Sequence, residues 1–347
     1  METQIKVGTA CIKGALSSAH LLCGGGGCRA VLASCGAFIA FDLAGIEFES
    51  IGGISGGAIP AVLRASEKDL DSIIRLALNL KFNKLITRRD GMWLPSNIAR
   101  PQYGIYDSAN LGSFVEGVGC RWSSRFWTAA VSNDSILAFL AKGTFQRRIS
   151  IHNSSDWHKL STNVPGIGLA IRATVAIPAF ISGIPSPFED GEFLFDGGLG
   201  PEGRCPVSIP RSLFGASKGI LIVIDVGSEG SLGTRVIEYL GRLVTGTKWS
   251  SPELPIYIDQ SIILVRPKIT QVTTFDFTAR KDLKWFAIIE GYLATFEKLK
   301  ELGCLAGNPV EAASEWIVAT NIFRNDMKKG FLKALFSIEN KYDRLPR

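Results

Sequence analysis

Histidine is scarce in this sequence of 347 residues, where only His20, His152 and His158 occur. The seven cysteines are odd in number and no two form a CxxC pair, which argues against a zinc site or a redox motif and favours reduced thiols in a reducing compartment. A membrane-spanning helix needs about 20 apolar residues. The longest mostly apolar stretch, residues 30–41, is too short for this and predicts a buried helix instead.

Other absences narrow the class of protein further. No sustained apolar run follows the first lysines, so we expect no secretory signal and a cytoplasmic protein, with peripheral contact at a membrane surface left open. The net charge of +6 is mild, and no dense basic run with interleaved aromatics predicts nucleic-acid binding. We expect no metal and no cofactor, and the oligomeric state stays open.

Glycine, by contrast, is abundant, with 37 residues, and it divides the first part of the chain into strand, loop and helix. An apolar strand at 19–23 runs into four glycines at 24–27, and a helix follows at 28–43. A second strand at 48–52 leads to another glycine-rich turn and a helix ending near residue 65. This repetition predicts an α/β fold with a parallel sheet.

Later segments continue this pattern without a linker. We predict further strands at 125–131, 219–226 and 262–265, and helices at 281–302, 310–320 and 325–340. The chain is therefore expected to form one domain over residues 1–347, with a helical C-terminal part.

The first glycine loop has two interpretations that share one physical basis, since a helix N-terminus with free N–H groups stabilises either a phosphate or an oxyanion. No Lys-Ser/Thr pair follows the glycines, which excludes a P-loop. A dinucleotide site remains open, because the stretch from Gly25 to Ala30 satisfies G-x-G-x-x-A. Glu47 and Glu49 follow at about the distance of a ribose-binding acid.

A second motif favours acyl transfer. Gly53-Ile54-Ser55-Gly56-Gly57 matches G-x-S-x-G and lies between a predicted strand and a predicted helix. This context defines a nucleophile elbow, in which a sharp turn presents the serine at the tip of the strand.

A serine nucleophile requires a base. The order Ser55, Asp107, His152 is available, but no histidine follows His158, and an α/β-hydrolase places its histidine late in the chain. A carboxylate is the better candidate. Asp196 follows an apolar strand and precedes a double-glycine turn, from which its side chain can reach a neighbouring loop.

Together, three segments resemble the patatin-like phospholipase family: the glycine loop, the serine elbow and the Asp196-Gly197-Gly198 turn. The apolar, proline-containing segment at 173–180 is also similar, and the resemblance covers residues 18–226. It implies a three-layer α/β/α fold with a mostly parallel central sheet. It also implies a catalytic core at 18–226, with a C-terminal strand and helices at 227–347 completing or packing on that core.

The resemblance also implies roles for particular residues. Ser55 would be the nucleophile and Asp196 the general base of a catalytic dyad. The expected oxyanion-hole residues are Gly25, Gly26, Gly27, Cys28 and Arg29, and the expected supports of the elbow and the aspartate turn are Gly53, Gly57, Gly197 and Gly198. Two positions depart from the family pattern, because Ala30 replaces a usual glycine and Gly56 replaces a commoner alanine.

The same resemblance implies the substrate class, acyl esters of lipids, with phospholipids as the expected case. The segment 327–336 mixes lysines with large apolar residues, and predicts either an amphipathic helix on a membrane or a terminal helix packed on the core. Two other functions stay open, namely a catalytically silent lipid-binding protein and a dinucleotide-binding oxidoreductase built on the stretch from Gly25 to Ala30.

Overall fold

The structure, a computed structural model, describes residues 19–89, 100, 102–132, 135–148, 157–215, 219–227 and 261–342. Its strands are β1 Ala19–Cys23, β2 Phe48–Gly53, β3 Thr87–Arg88, β4 Tyr106–Asp107, β5 Phe126–Ser132, β6 Ser135–Leu140, β7 Gly143–Arg148, β8 His158–Ser161, β9 Ile184–Pro185, β10 Phe193–Asp196, β11 Leu221–Ile224 and β12 Ile262–Val265. Its α-helices are α1 Gly27–Leu43, α2 Ala58–Ala65, α3 Leu70–Asn79, α4 Phe82–Leu85, α5 Ala109–Gly117, α6 Ile167–Thr174, α7 Ser208–Leu213, α8 Lys281–Glu301, α9 Pro309–Thr320 and α10 Asn325–Tyr342.

Ten of these strands form one mixed sheet in the order β12-β11-β1-β2-β5-β6-β7-β8, with β10 beside β5 and β9 beside β10. The pairings from β12 to β5 are parallel, which confirms the predicted parallel sheet. From β5 to β8, and along β10 and β9, they are antiparallel. The antiparallel half was not predicted from the sequence.

Helices cover both faces of the sheet, because the apolar side chains of its central strands alternate between two cores. In β11, Ile222 and Ile224 belong to one core, whereas Leu221 and Val223 belong to the other. Helices α1, α2, α3 and α8 contribute to the first core, and Ile209 of α7 to the second. The result is the three-layer α/β/α arrangement that the resemblance implies.

Helices α1 and α8 approach each other unusually closely. A Cβ on Gly36 would lie 1.8 Å from the carbonyl oxygen of Ile288, and a Cβ on Gly291 would lie 2.2 Å from that of Ala33. Since neither distance is possible for a real side chain, glycine is required at both crossing points.

The C-terminal helix α10 packs on the body of the protein. Met327, Phe331 and Leu335 are almost fully buried, and the Phe331 ring packs against those of Trp285 and Tyr292. Of the two interpretations of segment 327–336, the packed terminal helix is therefore the one observed. Among the described helices, none combines the length and the apolar character needed to cross a membrane.

Candidate active site

Ser55 lies at the carboxyl end of β2, where the chain turns from the strand into a short 3-10 helix, Ser55–Gly57, and then into α2. Its φ of +52° is in the left-handed region, which non-glycine residues adopt at a cost of about 1–3 kcal/mol. This strained turn between strand and helix is the geometry that the G-x-S-x-G motif predicted.

Glycines surround Ser55 because neighbouring backbone leaves no room for side chains. A Cβ on Gly57 would lie 2.4 Å from the Cys23 carbonyl oxygen, and a Cβ on Gly53 would lie 2.4 Å from the Cα of Ala58. Gly56 is equally restricted, since its Cβ would lie 2.1 Å from the carbonyl oxygen of Gly27. The elbow therefore packs directly on the glycine loop that follows β1.

The register of the sheet brings Asp196 to the serine. Gly53, at the end of β2, pairs with Thr128 of β5, and Asp196 of β10 pairs with Ala130, two residues further along β5. Strand β10 thus pairs with β5 at the residues just beyond those paired with β2, where the chain has turned away from the sheet at Ser55. Two residues separated by 141 positions in the sequence meet at this point.

Asp196 is held by specific hydrogen bonds. Its Oδ1 accepts the Gly198 N–H at 2.7 Å, and its own N–H donates to the Ala176 carbonyl at 2.8 Å. A Cβ on Gly197 would lie 2.3 Å from the Ala129 carbonyl oxygen, which explains the first glycine of the turn.

Burial raises the pKa of Asp196 from 3.8 to about 7, although hydrogen bonds from the Ser55 side chain and the Gly198 N–H oppose the shift. Desolvation disfavours the ionised carboxylate and so makes it a stronger base. At its ordinary pKa an aspartate is a weak base. The raised pKa of Asp196 lies close to neutral pH, where a general base works best.

The segment 173–180 supports both halves of the site. Thr174 Oγ1 accepts the backbone N–H of Ser55 at 3.1 Å, and the Ala176 carbonyl holds the backbone of Asp196. Thr174 is fully buried at the end of α6. The sequence analysis singled out this segment but not the role of Thr174, because the contact spans 119 residues and follows no local pattern.

The glycine loop is arranged by several backbone contacts. The Gly25 N–H donates to the Arg204 carbonyl and the Cys28 N–H donates to the Thr274 carbonyl, each at 3.0 Å. Gly26 and Gly27 have φ values of +151° and +56°. Within the described residues, their N–H groups donate no hydrogen bond, so they are the loop's available donors.

Arg29, in the first turn of α1, makes a buried hydrogen bond to the chain that follows β11. Its Nη2 donates to the Val226 carbonyl at 2.7 Å, and the residue is buried. The guanidinium thereby ties the start of α1 to the chain just after β11. Ala30, the first departure from the family pattern, has no positive φ and lies within the first turn of α1, so alanine fits there without strain.

An apolar pocket with a cavity volume of about 40 Å³ lies beside Ser55. Besides Ser55, Gly27, Cys28 and Gly56, its lining consists of Val31, Ile59, Phe82, Leu85, Ile86, Leu111, Val175, Ile177, Ile181, Thr274, Phe275 and Phe277. Such a lining suits a hydrocarbon chain, because burying apolar surface is favourable whereas burying unpaired polar groups is costly.

The alternative catalytic residues lie elsewhere or outside the described part. His20 is buried in β1, where its Nδ1 contacts Ser50 Oγ at 2.8 Å, and His158 is exposed on β8. Asp107 accepts the Ala109 N–H at 2.6 Å in a local turn. His152 falls outside the described residues.

The dinucleotide alternative requires a ribose-binding acid near the glycine loop, and neither candidate glutamate lies there. Glu47 precedes β2 and Glu49 is the second residue of that strand, so both lie at the amino end of the parallel strands, whereas the glycine loop lies at the carboxyl end. A ribose-binding acid is required at the carboxyl end. This interpretation of the glycine loop is therefore wrong.

Fold and site thus define an α/β/α protein with a serine elbow and a buried aspartate beside it. A family model described as patatin-like phospholipase matches residues 21–203, which is more than half of the chain. The chain belongs to the patatin-like phospholipase family, whose members are lipid acyl hydrolases. No curated protein sequence matches it.

One solved structure similar to this chain is that of VipD from Legionella pneumophila. The two share 12% sequence identity, with a TM-score of 0.46, over 95% of this chain and 81% of VipD.

Proposed function

We propose that this protein hydrolyses fatty-acyl esters of lipids, in the manner of a phospholipase A, with Ser55 as nucleophile and Asp196 as general base. The observation that carries the proposal is the pairing of a strained, pocket-facing serine with a buried aspartate whose pKa is raised to about 7. Family membership supports the reaction class, and the apolar pocket supports an acyl substrate.

In the first half of the reaction, Ser55 Oγ attacks the ester carbonyl carbon while its proton passes to Asp196. The N–H groups of Gly26 and Gly27 stabilise the oxyanion, and losing one such donor typically lowers the rate by about 10²–10³. When the ester C–O bond breaks, the leaving alcohol takes the proton from Asp196 and the acyl group remains on Ser55.

In the second half, water attacks the acyl-serine and gives its proton to Asp196. The acyl–Ser55 bond then breaks, the proton returns to Ser55 Oγ, and the fatty acid leaves. An acceptor alcohol in place of water would make the same intermediate an acyl-transfer intermediate, so product analysis is part of the test.

The test is fatty-acid release from mixed phospholipid vesicles by wild type, Ser55→Ala and Asp196→Asn, each checked for folding by circular dichroism. We expect release by wild type alone. Equal release by wild type and Ser55→Ala would refute the serine mechanism. Vesicle binding without release by a folded wild type would favour the silent lipid-binding alternative.

Access to lipid in a bilayer requires contact with its surface, and we propose that this contact is peripheral. The net charge of +6 favours anionic surfaces. The apolar face of α10 is buried against the protein and so does not supply the contact, whereas Phe336 of the same helix is 46% exposed. Sedimentation with anionic and with neutral vesicles measures the binding and its dependence on charge.

A further inference from the structure

A cluster of one carboxylate and two guanidinium groups lies at the carboxyl edge of the parallel strands. Asp225 follows β11 and Arg266 follows β12, at the same edge where Ser55 follows β2. Asp225 Oδ1 lies 3.4 Å from Arg204 Nη2, and Asp225 Oδ2 lies 3.5 Å from Arg266 Nε. Two positive charges against one negative charge leave the cluster with a net positive charge.

Arg204 is also a direct neighbour of the proposed catalytic groups. A Cβ built on Gly25 would lie 3.3 Å from Ser55 Cβ and 3.5 Å from Arg204 Cβ, so one glycine separates the two side chains. On its other side, the Cα of Arg204 lies 3.6 Å from where a Cβ of Gly198 would stand. Arg204 thus borders both the glycine loop and the aspartate turn.

The exposure of the three side chains increases outward from the carboxylate. Asp225 is 4% exposed, Arg204 19% and Arg266 60%. The buried carboxylate therefore orients the guanidinium groups from within, while their outer sides face the solvent near the site. Arg204 Nε is buried and has no acceptor among the described residues, so the solvent-facing part of this side chain is the terminal part of the guanidinium.

Oriented arginines match a phosphate group, because the planar guanidinium presents paired donors that fit two phosphate oxygens. We propose that Arg204 and Arg266 bind the phosphodiester of a phospholipid head group while its acyl ester lies at Ser55. This inference rests on the proposed function and deepens it by assigning the two residues that recognise the head-group phosphate. Ligands of α/β sheets commonly bind outside the carboxyl ends of the strands, where this cluster lies.

The experiment compares two esters that differ in phosphate: a short-chain phosphatidylcholine and p-nitrophenyl butyrate. Arg204→Gln and Arg266→Gln remove the guanidinium groups, and Arg204→Lys keeps the charge without the paired donors. Arg125→Gln is the matched control, because Arg125 precedes β5, at the opposite edge of the sheet, and pairs with Glu67.

For Arg204→Gln we expect the ratio of kcat/KM on phosphatidylcholine to kcat/KM on p-nitrophenyl butyrate to fall roughly 10- to 100-fold, the usual worth of a charge-assisted hydrogen bond. For Arg204→Lys we expect a ratio between those of wild type and Arg204→Gln. The ratio should fall less for Arg266→Gln than for Arg204→Gln, because Arg266 is more exposed, and Arg125→Gln should keep the wild-type ratio. An equal loss on both esters would overturn the proposal, because Arg204 would then only support the loop. So would undiminished turnover of phosphatidylcholine.

Binding of sn-glycerol 3-phosphate, measured by calorimetry on the same proteins, tests the proposal without turnover. Weaker binding by Arg204→Gln than by Arg125→Gln supports the phosphate site even if Ser55→Ala shows that the proposed reaction is wrong. Inorganic phosphate is the second titrant. Binding of inorganic phosphate alone, with no response to glycerol phosphate, would indicate a free-anion site and overturn the head-group proposal.

Discussion

The buried Asp196 should make the protein less stable at neutral pH than an asparagine variant. Asp196 is 4% exposed, and burial raises the pKa of its carboxyl from 3.8 to about 7. Because the folded state holds the proton more tightly than the unfolded state, the resulting stabilisation is complete below pH 4. It is lost as the pH rises from 4 to 7.

The size of this effect follows from linkage. Each pH unit between the two pKa values corresponds to 1.36 kcal/mol, so the loss amounts to about 4 kcal/mol by pH 8. Asp196→Asn removes the titrating group but preserves the shape and the acceptor for the Gly198 N–H. We therefore expect the stability of Asp196→Asn relative to wild type to increase by about 4 kcal/mol between pH 4 and pH 8.

Urea unfolding of the two proteins at pH 4.5, 6 and 8 measures this difference. Asp190→Asn makes the same chemical change at an exposed position in the turn before β10 and is the control for that change. A difference between Asp196→Asn and wild type that stays constant with pH would refute the raised pKa. In the wild type, kcat/KM should rise with pH to a plateau above about 7, since only the ionised carboxylate accepts a proton.

Three further predictions concern the support of the site and of the helical layers. Thr174→Val removes the acceptor of the Ser55 N–H, so we expect kcat to fall about tenfold, with about 1–3 kcal/mol lost in urea unfolding. Gly291→Ala forces α8 away from α1 and should destabilise by at least about 1–3 kcal/mol, whereas Gly117→Ala, with open space around its Cβ, should be neutral or stabilising. Lys284→Met removes the buried ammonium that donates to three carbonyl groups at the end of α3, and thermal unfolding should show a lower Tm.

Local patterns predicted much of the parallel half of the fold. The strands at 19–23 and 262–265 are observed with the predicted bounds, and the helix predicted at 281–302 is observed as α8. These elements succeed because their apolar residues lie in continuous or periodic runs. Strand β6 was missed because a short apolar run does not distinguish a strand from part of a helix, and β7 was missed because it carries no apolar run.

The candidate site was predicted in its motifs but not in its environment. The sequence pointed to Ser55 and Asp196, whereas their approach depends on the register of β5, which no local pattern encodes. The same holds for Thr174 and Arg204, whose contacts join distant segments. The raised pKa of Asp196 is a property of burial, and burial exists only in the folded chain.

Gly56, the second departure from the family pattern, offers a sharp test of how the elbow and the glycine loop fit together. A Cβ at this position would lie 2.1 Å from the carbonyl oxygen of Gly27 and 2.8 Å from its Cα. Gly56→Ala, although it restores the commoner residue, must therefore displace the loop whose N–H groups are proposed to hold the oxyanion. Since a misplaced donor weakens stabilisation of the transition state, we expect kcat to fall about 10- to 100-fold.

The informative comparison is between kcat and KM in the same variant. Gly117→Ala serves as the control for the added methyl group, because nothing lies within 4 Å of its Cβ. If Gly56→Ala kept the wild-type kcat, the loop could shift without affecting the reaction, and Gly27 would no longer be a credible oxyanion donor. If kcat fell while KM for p-nitrophenyl butyrate held, the defect would lie in the transition state, as the close packing of Gly56 on Gly27 requires.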